Sequence, residues 1–219
     1  KNLSYPKDRL RIIIVSPLWY APNYEGVETI HPQKPDYFNA HALNYGAFHA
    51  SDCEYFFMIN DDVILAKNCL TNLVAVAGQC GNAGIFMPIG NDAQGKYLAP
   101  VPHVLPGPYR LFDSNGPSPW EMMNSESPYP DIITFHETLC LYAVLIPRAV
   151  FSHVGIFDDS RAGHDDVDYC KRVALKGLVN AICFNALCYH AGGVTSEKTF
   201  TPEMREHSER TYNEKWGGA

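Results

Sequence analysis

Long apolar runs are the first thing this 219-residue sequence lacks. The longest, residues 139–146, falls far short of the roughly 20 residues a membrane-crossing helix needs, so no stretch reads as transmembrane. A secretory pattern at the N-terminus is also missing, and the chain reads as a soluble domain. Basic charge is scarce too: 17 Lys and Arg face 24 Asp and Glu, a net charge of −7. That balance argues against a nucleic-acid groove or an anionic membrane as the main partner. There is no C-x-x-C pair. The seven cysteines are odd in number and several sit inside apolar runs, so they read as core thiols, and a reducing, cytoplasmic compartment is expected. No internal repeat or low-complexity tract divides the chain, and its length suits one domain over 1–219.

What is present alternates between strand and helix patterns. Residues 10–15 (LRIIIV) form a β-branched run of the type found in parallel strands covered on both faces. Ala40, Leu43, Ala47 and Ala50 then recur at helical spacing and lead into YFFMI at 55–59, a βαβ unit ending at Asn60. Further helices are expected over 65–79, 147–153, from Asp165 to a stop at Gly177, and over 197–216. Strand character is expected over 84–87, 139–146, 178–184 and 186–189. The alternation predicts an α/β fold, a Rossmann-like and mostly parallel central sheet flanked by helices. Residues 90–130 interrupt it with prolines, glycines and exposed aromatics, among them Tyr109 and Trp120, in the manner of a binding loop or lid.

Charge concentrates in two places. The first is HDDVDYCKR at 164–172. Acidic residues in a helix's first turn meet unpaired backbone N–H groups, and that ordinary role fits Asp165, Asp166 and Asp168, with Val167, Cys170 and Ala174 facing inward. Capping needs only one or two carboxylates, however, and crowded like charges repel. The second is Asn60-Asp61-Asp62, placed directly after a buried strand, where open α/β sheets bind ligands. A polar turn would use the same residues. In extended backbone Asn60 and Asp62 would point the same way, and two oxygen ligands so spaced suit a hard cation such as Mg²⁺ or Mn²⁺. His190, closing another strand, is a further candidate ligand.

The order of these pieces resembles a GT-A fold glycosyltransferase, nearest to the family-two inverting enzymes and their rhamnosyl- and galactosyltransferase-like members. Segment 57–62 (FMINDD) is similar to the D-x-D position, 155–159 (GIFDD) to a G-x-F-D-E loop, 165–168 (DDVD) to E-D-x-D, and 189–193 (YHAGG) to a closing histidine-glycine motif. Residues 5–15 and 42–46 are similar to the segments around the family's second strand and the helix before the metal site. The resemblance implies a nucleotide-sugar donor and a saccharide acceptor. It implies that Asp62, His190 and Asn60 hold a divalent cation, Mn²⁺ or Mg²⁺, and that Asn60, Asp61, Asp62, Asn44 and Ser16 contact the donor. Asp166 is then the general base, with Asp165 beside it, and Trp120, Tyr109 and His164 line the acceptor side within the 90–130 loop and the acidic turn. Such types suit the chemistry, since a leaving diphosphate needs neutralising charge and a carboxylate can take the proton of the attacking hydroxyl.

Two departures stand out. Asn60 occupies the first aspartate position, and Ser16-Pro17-Leu18-Trp19 stands where the family has an Asp-rich turn. The family's first strand has no visible counterpart upstream. Either the chain is a piece of a longer protein, or residues 12–15 are the first strand of a shortened fold with 17–20 near the base. Other functional classes stay open on the residues alone: a non-catalytic saccharide- or nucleotide-sugar-binding module, or a metal-dependent hydrolase using the same carboxylates and His190.

Overall fold

The computed structural model of the protein describes residues 3–16, 24–32, 39–91, 133–159, 163–190 and 201–217, with positions 124, 126 and 131. In chain order its strands and α-helices are β1 (Ile12–Val15), β2 (Val27–Ile30), α1 (Asn39–His49), β3 (Tyr55–Ile59), β4 (Val63–Leu65), α2 (Cys69–Gln79), β5 (Ala83–Asn91), β6 (Ile133–His136), β7 (Ala143–Pro147), α3 (Arg148–Val154), α4 (Asp165–Leu175), β8 (Val179–His190) and α5 (Pro202–Trp216). The central sheet runs β3-β7-β5-β8-β4, with β6 also paired to β8.

Helices cover both faces of this sheet, which is why β5 and β7 at its centre are apolar and buried nearly throughout. Ile85, Met87 and Ile89 of β5 and Val144 and Ile146 of β7 pack with Ala40, Ala47, Val150, Val154, Tyr169, Cys170 and Val173 from α1, α3 and α4. The alternate residues Phe86 and Leu145 pack with Cys69, Leu70, Leu73, Val76 and Ala77 of α2. Period-two side-chain alternation thus feeds two apolar layers from one strand.

The α/β class and the flanked central sheet hold. The mostly parallel sheet does not: β5–β8 is the parallel pairing, whereas β3–β7, β4–β8, β5–β7 and β6–β8 are antiparallel. Continuous apolar strands report cover on both faces, which a mixed sheet needs as much as a parallel one. β1 pairs in parallel with β2 in a separate two-stranded sheet, so β1, α1 and β3 are not the expected βαβ unit. Its first residue, Ile12, is 44 % exposed. Helix α2 begins at Cys69 because residues 63–65 pair with His190, Tyr189 and Cys188 instead. Strand β8 is a single long strand with an irregularity: Pro88 aligns with Cys183 and Ile89 with Leu187. Proline offers no N–H there. Upstream of that break β8 also pairs with β6, and beyond it with β4.

One edge of the sheet follows from these directions. The carboxyl ends of β3, β5 and β8 meet there, together with the start of β7, which runs antiparallel to its two neighbours.

Candidate active site

The turn after β3 reverses the chain. Val63 N–H donates to the Asn60 carbonyl at 3.3 Å, and Asn60 N–H donates to the Tyr142 carbonyl at 2.8 Å. Asn60, Asp61 and Asp62 therefore lie in a tight turn and not in extended backbone, so strand alternation does not decide which way Asn60 and Asp62 point. The turn is held to β8 because Val63 is in register with His190. That register carries Asp62 Oδ1 to 3.1 Å from His190 Nε2. The Tyr142 ring stacks on the imidazole with centroids 4.7 Å apart and planes 16° from parallel.

Among the described residues no group of three His, Cys, Asp or Glu side chains could hold a metal. Asp62 and His190 nevertheless form a fitting pair. Ligands of one cation at about 2.1 Å from it lie about 3 Å from each other, and imidazole nitrogen with carboxylate oxygen is a donor set Mn²⁺ accepts.

The second cluster begins α4. His164 precedes the helix at φ 57°, a left-handed conformation that costs a non-glycine residue about 1 kcal/mol or more. Asp166 Oδ1 accepts the Val167 N–H at 2.7 Å. Burial pushes the Asp165 carboxyl up to about 6, helped by the charge of Asp166 and opposed by backbone N–H groups at the helix start. Burial also raises Asp166, against the Val167 hydrogen bond and the nearby His164. The two carboxylates thus share a partly desolvated helix start.

The clusters are joined by residues 139–142. Although Cys140 is exposed at the surface, local desolvation and then the charge of the nearby Asp166 raise its thiol, and two residues on Tyr142 stacks on His190. Leu139 N–H donates to Cys170 Sγ of α4 at 3.3 Å, and Tyr142 N–H bonds the Cys140 carbonyl at 2.9 Å. The expected strand over 139–146 starts only at Ala143, because its first four residues bend between the two clusters.

Helix α5 clamps the acidic turn from outside. Asp168, fully buried, receives Lys215 Nζ at 2.7 Å, Arg172 Nε at 2.9 Å and Trp216 Nε1 at 3.0 Å. Burial alone would raise its carboxyl, but Lys215, Arg172 and Trp216 together hold it below the usual range. Lys215 also reaches Asp158 at 3.0 Å. Ser208 Oγ donates to the Gly163 carbonyl at 2.8 Å and lies 3.0 Å from His164 Nδ1. The His164 ring stacks on Tyr212. The inward face of α4 is Tyr169, Cys170 and Val173. Ala174, expected inside, is exposed, because the buried stripe runs through Asp168, Tyr169, Cys170 and Val173 instead.

Asn44, expected to contact the donor, places its amide on the 155–159 loop. Its Nδ2 donates to the Phe157 carbonyl at 2.9 Å and its Oδ1 accepts the Phe157 N–H at 2.8 Å, so its amide is committed to holding the 155–159 loop. His41 Nδ1 adds a 3.0 Å contact to Asp159. Ser16 ends β1 with its N–H on the Ile30 carbonyl and its own carbonyl against His31 Nδ1. Trp120, Tyr109, the 191–193 motif and nearly all of the 90–130 loop lie outside the described residues. Sequence reasoning missed Tyr142, Ser208, Lys215 and Trp216. Trp216 alone left a trace, as a large aromatic closing an otherwise polar helix.

No protein-family model matches the sequence, and no curated protein matches it significantly. Solved structures do match in three dimensions. The crystal structure of GalNAc-T7 with UDP, GalNAc and Mn²⁺ aligns at a TM-score of 0.60 and 12 % identity over 85 % of this chain. That of S. aureus TarS aligns at 0.54 and 11 % over 86 %. The chain spans 38 % and 32 % of those two chains. At such identities the likeness concerns architecture alone, and the architecture is the GT-A glycosyltransferase fold, a mixed α/β domain with a helix-flanked central sheet.

Proposed function

We propose that the chain is a glycosyltransferase that moves a hexosyl or deoxyhexosyl unit from a nucleoside-diphosphate sugar, a UDP or dTDP sugar, to a saccharide hydroxyl with inversion, in the manner of the family-two enzymes. The observation that carries the reading is the meeting of two clusters at one sheet edge. Asp62 lies 3.1 Å from His190, and the paired carboxylates at the start of α4 are joined to them through residues 140–142. The fold shared with a glycosyltransferase crystallised with UDP and Mn²⁺ agrees with it.

In this reading Asp62 and His190 hold a divalent cation, and Asn60 and Asp61 border the diphosphate. A bound cation would supply the positive charge that offsets the leaving diphosphate. Asp166 accepts the proton of the attacking hydroxyl, and Asp165 helps orient the acceptor or the helix start. Ser16, at the end of β1, faces the nucleotide side, while His164 with Trp120 and Tyr109 borders the acceptor. Asn44 keeps the 155–159 loop in place. An Asp166 that is half-desolvated is a stronger base than one in water, because water no longer stabilises its charge.

Release of nucleoside diphosphate from UDP, GDP and dTDP sugars, with Mn²⁺ or Mg²⁺ and again with a chelator, tests this. Release by the wild type, lost in Asp166→Asn with nucleotide binding intact, is expected. Full activity in Asp166→Asn would overturn the base assignment, and nucleotide-sugar binding without release from any donor would make the domain a binding module.

A further inference from the structure

Histidines that hold a metal ordinarily donate their second ring nitrogen to a carboxylate, carbonyl or water, which fixes the ring's orientation. His190 departs from this: its Nδ1 is buried and has no hydrogen-bond partner among the described residues. The Tyr142 ring lies against it at 4.7 Å and 16°, and that ring is itself confined. Its hydroxyl donates to the Pro88 carbonyl at 3.3 Å. A Cβ added to Gly90 would come within 2.8 Å of Tyr142 Cζ, so the ring occupies space that only a glycine leaves. Gly90 is in register with Cys188, two residues before His190. The same residue reaches the other half of the pair, because the Tyr142 carbonyl accepts the Asn60 N–H at 2.8 Å and so fixes the turn that carries Asp62.

We infer that Tyr142, seated over Gly90, is the positioning residue of the Asp62–His190 pair, its ring doing for His190 what a hydrogen bond to Nδ1 does elsewhere and its carbonyl doing the same for the Asp62 turn. The inference rests on the cation assignment made above. It separates the two functions of one residue: the carbonyl survives any substitution at 142, whereas the ring does not. Stacking by a planar ring is therefore the property under test.

The measurement is Mn²⁺ binding by electron paramagnetic resonance, alone and with UDP, on folded wild type, Tyr142→Phe, Tyr142→Leu, Gly90→Ala and His190→Ala, each checked by its melting curve. His190→Ala should lose binding. Tyr142→Phe keeps the stack and should bind within about twofold of wild type, while Tyr142→Leu should bind about 10- to 100-fold more weakly, the usual effect of losing an outer partner. Gly90→Ala keeps both ligands and moves only the ring, so it should weaken binding in the same direction, and it answers the question if Tyr142→Leu does not fold. Wild-type affinity in Tyr142→Leu and Gly90→Ala, with His190→Ala inactive in binding, would overturn this inference and leave the cation site standing. Unchanged binding in His190→Ala would overturn both.

Discussion

Asp168→Asn removes the charge on which three donors converge. In the wild type Lys215, Arg172 and Trp216 all reach a carboxylate with no exposed surface. The side chain of Arg172 is 19 % exposed and that of Lys215 36 %, so the lysine can return to water while the arginine stays enclosed beside the Tyr169 ring. Removing one partner of a buried ion pair costs about 3–5 kcal/mol. The wet lysine discounts that, and about 3 kcal/mol is expected here. For a domain of this size each kcal/mol moves the melting temperature by about 2–4 °C, which puts the expected drop at about 6–12 °C. The pH dependence adds a second signature. The native carboxyl lies below its usual value, so its contribution is complete above about pH 4, where the unfolded carboxyl is also ionised, and is lost as pH falls through the native value. Wild type and Asp168→Asn should therefore differ most near neutrality and converge in acid, read from urea denaturation at several pH values. A difference under about 1 kcal/mol, or one independent of pH, would refute the view that these three contacts stabilise the fold through charge.

The paired carboxylates give a pH dependence of opposite sign. Because burial raises the Asp166 carboxyl above its ordinary value, transfer should rise with pH through the acid range as it ionises, and a rate that does not fall in acid would count against Asp166 as base. A raised carboxyl such as that of Asp165 destabilises the native state once ionised, with its stability lost between the ordinary carboxylate range and about 6. Asp165→Asn should therefore melt higher than wild type at pH 8 and equally at pH 4. Asn44→Ala, which strands the Phe157 N–H and carbonyl, should lower stability by about 2 kcal/mol in urea, with Asn44→Asp intermediate because it keeps the acceptor and loses the donor; equal midpoints would show the loop is held by something else.

Both acidic clusters, His190, the strand Tyr55–Ile59 and the helix opening at Asp165 were legible because each is a local pattern: an apolar run, a cap, a polar residue at a strand end. Strand direction was not local. A run such as residues 143–146 is equally apolar whether its neighbour runs with it or against it, so the mixed sheet could not be read from composition. The short strands β2 and β6 carry four residues each, too few for a periodic signal. Leu65, expected to open the helix over 65–79, belongs to a strand with Val63 and Ile64 because β8 extends far enough to pair with them. The contacts that position the site were least legible of all. Asn44 and Phe157 are 113 residues apart and Asp168 and Trp216 are 48 apart, and nothing near Ser208 distinguishes it from the other polar residues of α5 until the fold brings Gly163 and His164 to it.

Asn60 brings these strands of reasoning to one consequence. With asparagine in place of a first aspartate, the proposed cation site offers one carboxylate and one imidazole, and no third His, Cys, Asp or Glu joins them among the described residues. Mn²⁺ and Mg²⁺ take about six ligands and favour oxygen. Two protein ligands carrying a single negative charge leave most of the coordination sphere to water unless a diphosphate fills it. The cation should then bind weakly to the free protein and about 10-fold or more tightly with the nucleotide, because each ligand supplies charge that the other lacks. By the same linkage, Mn²⁺ should raise the affinity for UDP by the same factor. Calorimetric titration of UDP with and without Mn²⁺, set beside resonance titration of Mn²⁺ with and without UDP, measures both sides. Tight Mn²⁺ binding that UDP leaves unchanged would mean that the protein completes the coordination sphere by itself, and would overturn the two-ligand account of the sheet edge.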